Sequence, residues 1–307
     1  YGMALVYGAT GGKMEYPAIR AAVSYGSQMP LLLLAGTGLI IVGLSFKVAA
    51  FPFHVWAPDV YQGAPTVVTA FMSTAGKAAA FAAFIQLGAA LIPNGGPDSV
   101  KITHLLAVIS AASMLYGNIA ACAQQNVKRL LAYSSIAQAG YMMIGIVAGT
   151  GRGTSGLMFY LAAYLFTQIG AFIVASALET EYGKQLEFSD YAGLAKRHPL
   201  LAGVMALFMF SLVGLPPFAV FFGKYYLFTA AIEAGYTWLA LVGVLASVIS
   251  AYFYLGLIVA MYFRHHETGE IQPAAPGMSG VTIALAVAGV ILLGLIPAAV
   301  LRITGGG

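Results

Sequence analysis

Long apolar runs recur along this chain, and short polar segments separate them. A helix needs about 20 apolar residues to cross a bilayer, because it rises only about 1.5 Å per residue. The composition agrees with this interpretation: 60% of the residues are hydrophobic and 8% are charged, whereas soluble domains carry about 25% charged residues. The sequence therefore predicts an all-α, polytopic transmembrane helix bundle that passes through a membrane several times.

The apolar runs predict one partial span and eight full spans, all within a single transmembrane domain covering residues 1–307. The full spans are expected at 30–50, 66–92, 103–123, 129–149, 155–178, 200–231, 236–263 and 280–301. The partial span, residues 1–10, has neither an initiator Met nor a basic segment before it. We therefore expect the chain to be the C-terminal part of a longer subunit, with the N-terminal helices absent.

Two of the runs are interrupted by prolines, and a lysine lies near each interruption. Pro52 follows Lys47, and Pro216 and Pro217 precede Lys224. A proline cannot donate to the carbonyl four residues back, so it kinks or ends a helix. A carbonyl freed in this way favours a cation, and it is tolerated in a bilayer only beside protein or water. The pattern predicts two discontinuous helices, each with a lysine close to its break.

Three lysines lie inside apolar runs: Lys47, Lys77 and Lys224. A charge at membrane depth costs roughly 2.5 to 3.5 kcal/mol on insertion scales, so such a residue indicates function by default. Each lysine could instead pair structurally with a buried acid. No Asp or Glu lies within a predicted span, however, and the closest candidate, Asp59, comes just after the first break. Either the lysines titrate, or an acid from elsewhere in the protein or from another chain pairs with them. Both alternatives fit a proton path.

His54 lies two residues after Pro52, within the first break. An imidazole takes up and releases protons near neutral pH, although this ring could equally be a hydrogen-bonding group that stabilises the break. Its position seven residues from Lys47 favours the first role. The predicted proton-relay residues are therefore Lys47, Lys77, Lys224 and His54. The intramembrane polar residues Ser134, Ser135, Gln138 and Gln168 are interpreted as contacts that join helices.

The longest charged connector runs from residue 179 to residue 197 and is predicted to be a surface loop at one face of the membrane. Lys128 and Arg129 precede another span and are interpreted as loop charges at the same face. By the positive-inside rule that face is weakly favoured as cytoplasmic.

Several classes of function lack their sequence signatures here. The single cysteine, Cys122, excludes an iron–sulfur cluster held by this chain alone, and no Gly-rich dinucleotide or P-loop motif occurs. The net charge of +4 comes from scattered basic residues rather than a patch, which argues against nucleic-acid binding. We expect no cofactor and no metal in this chain, and the lipid bilayer as its surroundings.

Three stretches carry a resemblance to a known family: residues 46–65, residues 126–136 and residues 211–226. They resemble the antiporter-like membrane subunits of the proton-translocating NADH–quinone oxidoreductase, respiratory complex I. The form Tyr61-Gln62-Gly63-Ala64-Pro65 is more similar to the subunit N branch than to its relatives. The likeness extends over the whole chain.

The resemblance implies a fold and a function. Members of the family carry a central lysine on each of two broken helices, a lysine or histidine on the helix between them, and a glutamate on an earlier helix. Lys47, Lys224 and Lys77 match the three basic positions, and the glutamate position is not in this chain. The implied partners are other antiporter-like and small hydrophobic membrane subunits. NAD, FMN, iron–sulfur clusters and quinone would belong to the rest of the complex.

The resemblance thus implies proton translocation driven by quinone reduction elsewhere, in a bacterial inner membrane. The main alternative is a subunit of a multi-subunit sodium/proton antiporter, which shares the ancestral fold. A structural spacer in a membrane assembly and a photosynthetic relative of complex I fed by ferredoxin are two further alternatives.

Overall fold

A computed structural model describes residues 1–24, 29–92, 96–182, 187–264 and 278–298. Thirteen α-helices contain most of these residues, and a short 3-10 turn lies at Phe188–Tyr191. The helices are α1 (Gly2–Ala9), α2 (Tyr16–Ser24), α3 (Leu31–Val48), α4 (Trp56–Gly63), α5 (Thr66–Leu91), α6 (Pro97–Cys122), α7 (Val127–Ala148), α8 (Gly151–Tyr182), α9 (Leu194–Arg197), α10 (Pro199–Val213), α11 (Ala219–Glu233), α12 (Thr237–Phe263) and α13 (Met278–Leu295). The predicted all-α fold is confirmed.

Six helices in the described ranges are long and apolar enough to cross a membrane, namely α3, α5, α6, α7, α8 and α12. The shorter helices α10 and α13 are also apolar. Most boundaries lie close to the predicted spans, but α6 begins at Pro97 rather than at residue 103. Proline suits the first turn of a helix, and the partial positive charge at the N-terminal end stabilises the Asp98 carboxylate. The helix therefore starts within a polar stretch. Residues 299–301 of the last predicted span lie outside the described residues.

Both predicted helix breaks are present, and both helices end four residues before a proline. α3 ends at Val48 and α10 ends at Val213, and these residues lie four positions before Pro52 and Pro217. Each helix therefore ends at the carbonyl that its proline leaves without a partner. In both breaks the next residue adopts the left-handed conformation, with φ of 58° and 86°. The chain resumes as α4 after the first break and as α11 after the second.

The central element of the bundle is α7. Within its apolar window 89% of the residues are buried, against 33% for α3 and for α12. The neighbours that pack against α7 include α4, α5, α6, α8 and α11. Because protein surrounds α7, its polar side chains can face other polar groups rather than lipid.

Glycines let α6 approach α7 closely. A Cβ atom on Gly117 would lie 2.6 Å from the backbone nitrogen of Ala137, and one on Gly140 would lie 2.8 Å from the backbone oxygen of Ser110. Ser110 Oγ uses this closeness to donate a 2.7 Å hydrogen bond to the Gly140 carbonyl. Small residues allow such backbone contact between membrane helices, where apolar burial alone does not drive association.

The connector at 179–197 differs from the predicted surface loop. α8 continues to Tyr182, and after residues 183–186, which lie outside the description, the chain forms the 3-10 turn and α9. Tyr191 and Leu194 are buried in the core, and the Gly193 N–H donates to the Ala260 carbonyl at 3.1 Å. The prediction of a surface loop was wrong because it relied on the many charged residues of this stretch and overlooked the few apolar residues that pack into the core.

The close approach of α6 and α7 predicts a sharp difference between two Gly→Ala changes. Gly117→Ala should lower the free energy of unfolding by about 1–3 kcal/mol, because its methyl group collides with backbone atoms. Gly43→Ala in α3 meets no atom within 4 Å and should be neutral or stabilising by up to about 1 kcal/mol. Thermal unfolding of the detergent-solubilised protein measures both, and a Gly117→Ala variant as stable as the parent would contradict the close contact.

Candidate functional site

Lys77 occupies the interior of the bundle, as the sequence predicts. It lies on α5, is 1% exposed, and donates a hydrogen bond from Nζ to the backbone oxygen of Ser135 on α7. The Ser135 side chain also accepts a 2.9 Å hydrogen bond from the Tyr164 hydroxyl. No carboxylate forms an ion pair with Lys77 within the described ranges. The Lys77 ammonium therefore has polar neighbours but no counter-charge among the described residues.

Lys224 lies beside the second break, on α11, and is 5% exposed. Its Nζ atom donates to the Val213 carbonyl at 2.8 Å and to Ser247 Oγ at 3.0 Å. The ammonium also stands 4.6 Å from the ring centroid of Tyr141, a cation–π distance. Val213 is the residue whose carbonyl Pro217 leaves free, so the break supplies the acceptor that holds the lysine. The predicted pairing of a broken helix with a cation is seen directly here.

A polar seam along α7 lies between the two lysines. Gln138 Nε2 is 3.3 Å from the Tyr254 hydroxyl and 3.5 Å from the Leu212 carbonyl, one residue before the carbonyl that binds Lys224. Tyr160 donates to Gln138 Oε1, and the hydroxyls of Ser134 and Tyr254 are hydrogen-bonded to each other. Ser134 is adjacent to Ser135, so polar groups extend from the Lys77 side of α7 to the Lys224 side.

The seam changes the interpretation of the intramembrane polar residues. Ser134, Ser135 and Gln138 do join helices, as predicted, but their partners place them between Lys77 and Lys224. Gln168 Nε2 is 3.4 Å from the Leu131 carbonyl, one turn of α7 further along. Sequence reasoning missed the buried tyrosines of the seam: Tyr141, Tyr160, Tyr164 and Tyr254. Tyr160 and Tyr164 lie four residues apart in one apolar run, and this helical spacing is the signal that could have indicated these two.

Lys47 lies apart from the other two lysines. It is at the last turn of α3, as predicted, but its side chain is on the exposed face of the helix. The buried stripe of α3 in this region contains Ile41, Ser45 and Val48, and Lys47 is off that stripe. Of the three lysines predicted to form a row, only Lys77 and Lys224 are therefore buried, and Lys47 has no ion-pair partner among the described residues.

His54 lies inside the first break and is buried. Its ring is 5.4 Å from the Phe51 ring and 4.5 Å from the Tyr116 ring, measured between centroids. The same break is joined to α6 by a 2.9 Å hydrogen bond from the Phe51 N–H to Ser113 Oγ. Nδ1 of His54 is buried without a hydrogen bond of ordinary geometry in the described part of the chain. The imidazole packs against aromatic rings and does not join the seam.

Lys128 is a further buried cation, which the sequence analysis assigned to a loop. It lies in the first turn of α7 and is 3% exposed. Its Nζ atom donates to the Ala64 carbonyl at 2.8 Å and lies 3.8 Å from Glu179 Oε2 on α8. Glu179 also accepts a hydrogen bond from the Thr66 hydroxyl. The adjacent Arg129 points outward and pairs with Asp59 at 2.6 Å, as a loop charge would.

The described residues contain no group of three or more His, Cys, Asp or Glu side chains placed to hold a metal ion. What the site does contain is a set of proton-exchanging groups, two amines and several hydroxyls, inside an apolar bundle. Hydroxyls and amides that touch one another can pass protons, especially where a water bridges two of them. The chemistry that this arrangement supports is proton transfer.

The chain matches the family model described as "NADH:quinone oxidoreductase/Mrp antiporter, TM" over residues 1–250, and it belongs to this family of transmembrane subunits. The "NADH-quinone oxidoreductase subunit N" of Trichlorobacter lovleyi is 46% identical over 306 residues, which cover 98% of this chain and 61% of that protein. The chain thus spans about three-fifths of the length of this curated relative.

Two solved structures have the same fold. A chain of respiratory complex I from Thermus thermophilus with bound aureothin superposes with a TM-score of 0.81 and 39% identity, over 98% of this chain and 64% of that one. A chain of the Mrp complex from Dietzia sp. DQ12-45-1b has a TM-score of 0.85 and 25% identity, over 99% of this chain and 63% of that one. These similarities confirm the predicted antiporter-like fold.

The surroundings of the buried lysines predict opposite effects of two Lys→Met changes. Lys77→Met removes an ammonium that has no counter-charge in the described structure, so the free energy of unfolding should stay equal or rise by about 1–2 kcal/mol. Lys128→Met leaves Glu179 without its ion-pair partner and should lower it by about 1–3 kcal/mol. Thermal unfolding in detergent checks both, and a Lys77→Met variant as unstable as Lys128→Met would show that Lys77 is structural.

Proposed function

We propose that this chain belongs to subunit N of a proton-translocating NADH–quinone oxidoreductase and carries protons through its buried lysines. The observation that carries the proposal is the pair Lys77 and Lys224, both buried without an ion-pair partner among the described residues, with the α7 seam between them. Maintaining two such ammonium groups is costly for a structural role. The family to which the chain belongs and its similarity to subunit N of other bacteria support the same function.

In this proposal the subunit takes part in an enzyme but carries no redox group of its own. NAD, FMN, iron–sulfur clusters and quinone would lie in other subunits, and the chain would contact antiporter-like and small hydrophobic subunits in a bacterial inner membrane. Quinone reduction elsewhere would change the protonation of the lysines. A proton would then pass along the hydroxyls and amides of the seam between Lys77 and Lys224.

Lys47 and His54 keep proposed roles in the relay. Lys47 stands beside the first break with its side chain outward, so we propose that an acid outside this chain pairs with it. His54 stays a candidate proton carrier because its imidazole is buried within the first break and can take up and release a proton.

The alternative function is that of a sodium/proton antiporter subunit, because the family includes Mrp antiporters and the Mrp fold is equally similar. The two functions differ in their partners. Purification of the tagged, membrane-embedded protein should yield flavin and iron–sulfur subunits if the first proposal is right. Recovery of antiporter subunits alone would favour the alternative.

Replacement of Lys224 by alanine should strongly reduce proton pumping while the complex stays assembled. We expect Lys224→Ala to lower the rate of proton pumping by at least about tenfold, in line with the loss of a proton-transferring group. Lys196→Ala, at an exposed lysine of α9, is the matched control and should pump normally. Vesicles containing the complex and a pH-sensitive dye give the measurement, and native gels report assembly. Undiminished pumping by Lys224→Ala would remove this residue from the relay.

Proton pumping should require that Lys77 gains and loses its charge; a permanent positive charge at this position should not be enough. Lys77→Arg stays charged at any accessible pH, so we expect it to impair pumping although the charge is kept. Lys77→His can titrate and should retain more activity. Pumping and quinone reduction are measured on both variants in the same membranes. Pumping at the parent rate by Lys77→Arg would assign Lys77 a fixed electrostatic role.

A further inference from the structure

A buried ion pair lies at the end of the bundle where α5 and α7 begin and α8 ends. Lys128 and Glu179 are 3.8 Å apart, with side chains 3% and 14% exposed. Lys128 also donates to the Ala64 carbonyl at 2.8 Å, and Thr66 donates its hydroxyl to the same Glu179 oxygen that faces the lysine. Glu179 therefore reaches the protein surface on one side and contacts the first residue of α5 on the other.

A row of hydroxyl groups leads from this carboxylate into the interior of the bundle. Thr66, Thr69, Ser73 and Thr74 lie on α5, and Lys77 follows them. The steps of three and four residues place these groups on one face of the helix. All five side chains are buried. The row lies between the Glu179 carboxylate, whose side chain is 14% exposed, and the lysine that the proposed function uses.

The local hydrogen bonds leave the row able to accept protons. Thr69 donates to the Tyr61 carbonyl at 3.0 Å, and Thr74 donates to the Ala70 carbonyl at 2.7 Å. Each hydroxyl keeps acceptor lone pairs, and one helical turn of about 5.4 Å can be crossed by two hydroxyls and a bridging water. Hydroxyls bonded to their own helix are common in membrane helices. What distinguishes this row is that a carboxylate lies at one end and an amine at the other.

We propose that Glu179 supplies protons to Lys77, and that Lys128 stabilises the Glu179 carboxylate between two transfers. The proposal rests on the proton-translocating function argued above. In each cycle Glu179 takes a proton from water and becomes a neutral acid. The proton then moves along the hydroxyl row to the neutral amine of Lys77, which restores the carboxylate and produces an ammonium. Each hydroxyl on the way accepts one proton and gives up another, so its O–H bond is restored and no heavy-atom bond changes.

Glu179 is a better candidate than Asp59, another acid near this end. Asp59 has a side chain 73% exposed and is held at 2.6 Å by Arg129, so it faces water and not the hydroxyl row. Lys128 and Thr66 are the groups that face the Glu179 carboxylate from α7 and α5 in the described structure. Their contacts fix one carboxylate oxygen at the start of the row.

Two variants at position 179 test whether its side chain must carry a proton in the assembled complex. Glu179→Gln keeps the size of the side chain and an oxygen for Thr66 but cannot carry a proton, and Glu179→Asp can. We expect Glu179→Gln to lower proton pumping by at least about tenfold, and Glu179→Asp to recover most of it. Glu187→Gln, at an exposed acid near the same end, is the matched control and should leave pumping unchanged.

A second pair of variants tests the row without altering charge. Thr66→Val has nearly the shape of threonine but lacks the hydroxyl, and Thr66→Ser retains it. Pumping should fall several-fold in Thr66→Val and stay close to the parent in Thr66→Ser, with equal assembly on native gels. Equal losses in Glu179→Gln and Glu179→Asp, or full pumping in Glu179→Gln, would overturn the proposal.

The outcome for Lys77 distinguishes this inference from the function on which it rests. If Lys77→Ala stops pumping while Glu179→Gln pumps normally, the proton-supplying role of Glu179 is wrong and the lysine relay stands. If Lys77→Ala also pumps normally, the proposed function itself fails. Reconstituted vesicles with a pH-sensitive dye measure all these variants, and quinone reduction measured in parallel reports electron flow.

Discussion

A carbonyl left free inside the membrane is the constraint around which this protein is arranged. In hydrocarbon a backbone polar group needs a partner, and a helix interrupted by proline exposes one that its own turn cannot satisfy. At the second break that carbonyl belongs to Val213, and Lys224 binds it at 2.8 Å. A proline and a lysine, each unfavourable in an apolar span, thus stabilise one another. The first break ends at the equivalent position, Val48, but its lysine points outward.

Placing such groups in a membrane requires a protein environment on all sides, and α7 provides it. Its burial is far more complete than that of α3 or α12, because α6 approaches it at Gly117 and Gly140 and α8 covers its other side. Ser135 and Gln138 can therefore present polar groups to Lys77, Tyr160 and Tyr254 instead of to lipid. The close packing that stabilises the bundle is the same feature that makes a buried polar seam possible.

Two kinds of buried lysine occur here, and their surroundings suit different tasks. Lys128 is neutralised by Glu179 and tied to the Ala64 carbonyl, so its charge is stabilised where it stands. Lys77 and Lys224 have carbonyls, hydroxyls and a ring as partners, but no carboxylate within the described ranges. An ammonium with a counter-ion is held charged, whereas one without it can lose its proton at lower cost. This contrast separates groups that anchor helices from groups that can carry protons.

The sequence by itself determined the fold class, most of the spans, both helix breaks and the depth of Lys77 and Lys224. Those features depend on apolar run length and on the missing N–H of proline, which are local properties of the chain. Only the tertiary structure decided which way each side chain faces and what it meets. It turned Lys47 outward, buried Lys128 against Glu179, and brought four tyrosines to the seam. These contacts join residues as far apart as Lys128 and Ala64, or Gln138 and Leu212. Such pairings depend on how the helices pack, which no single stretch of sequence specifies.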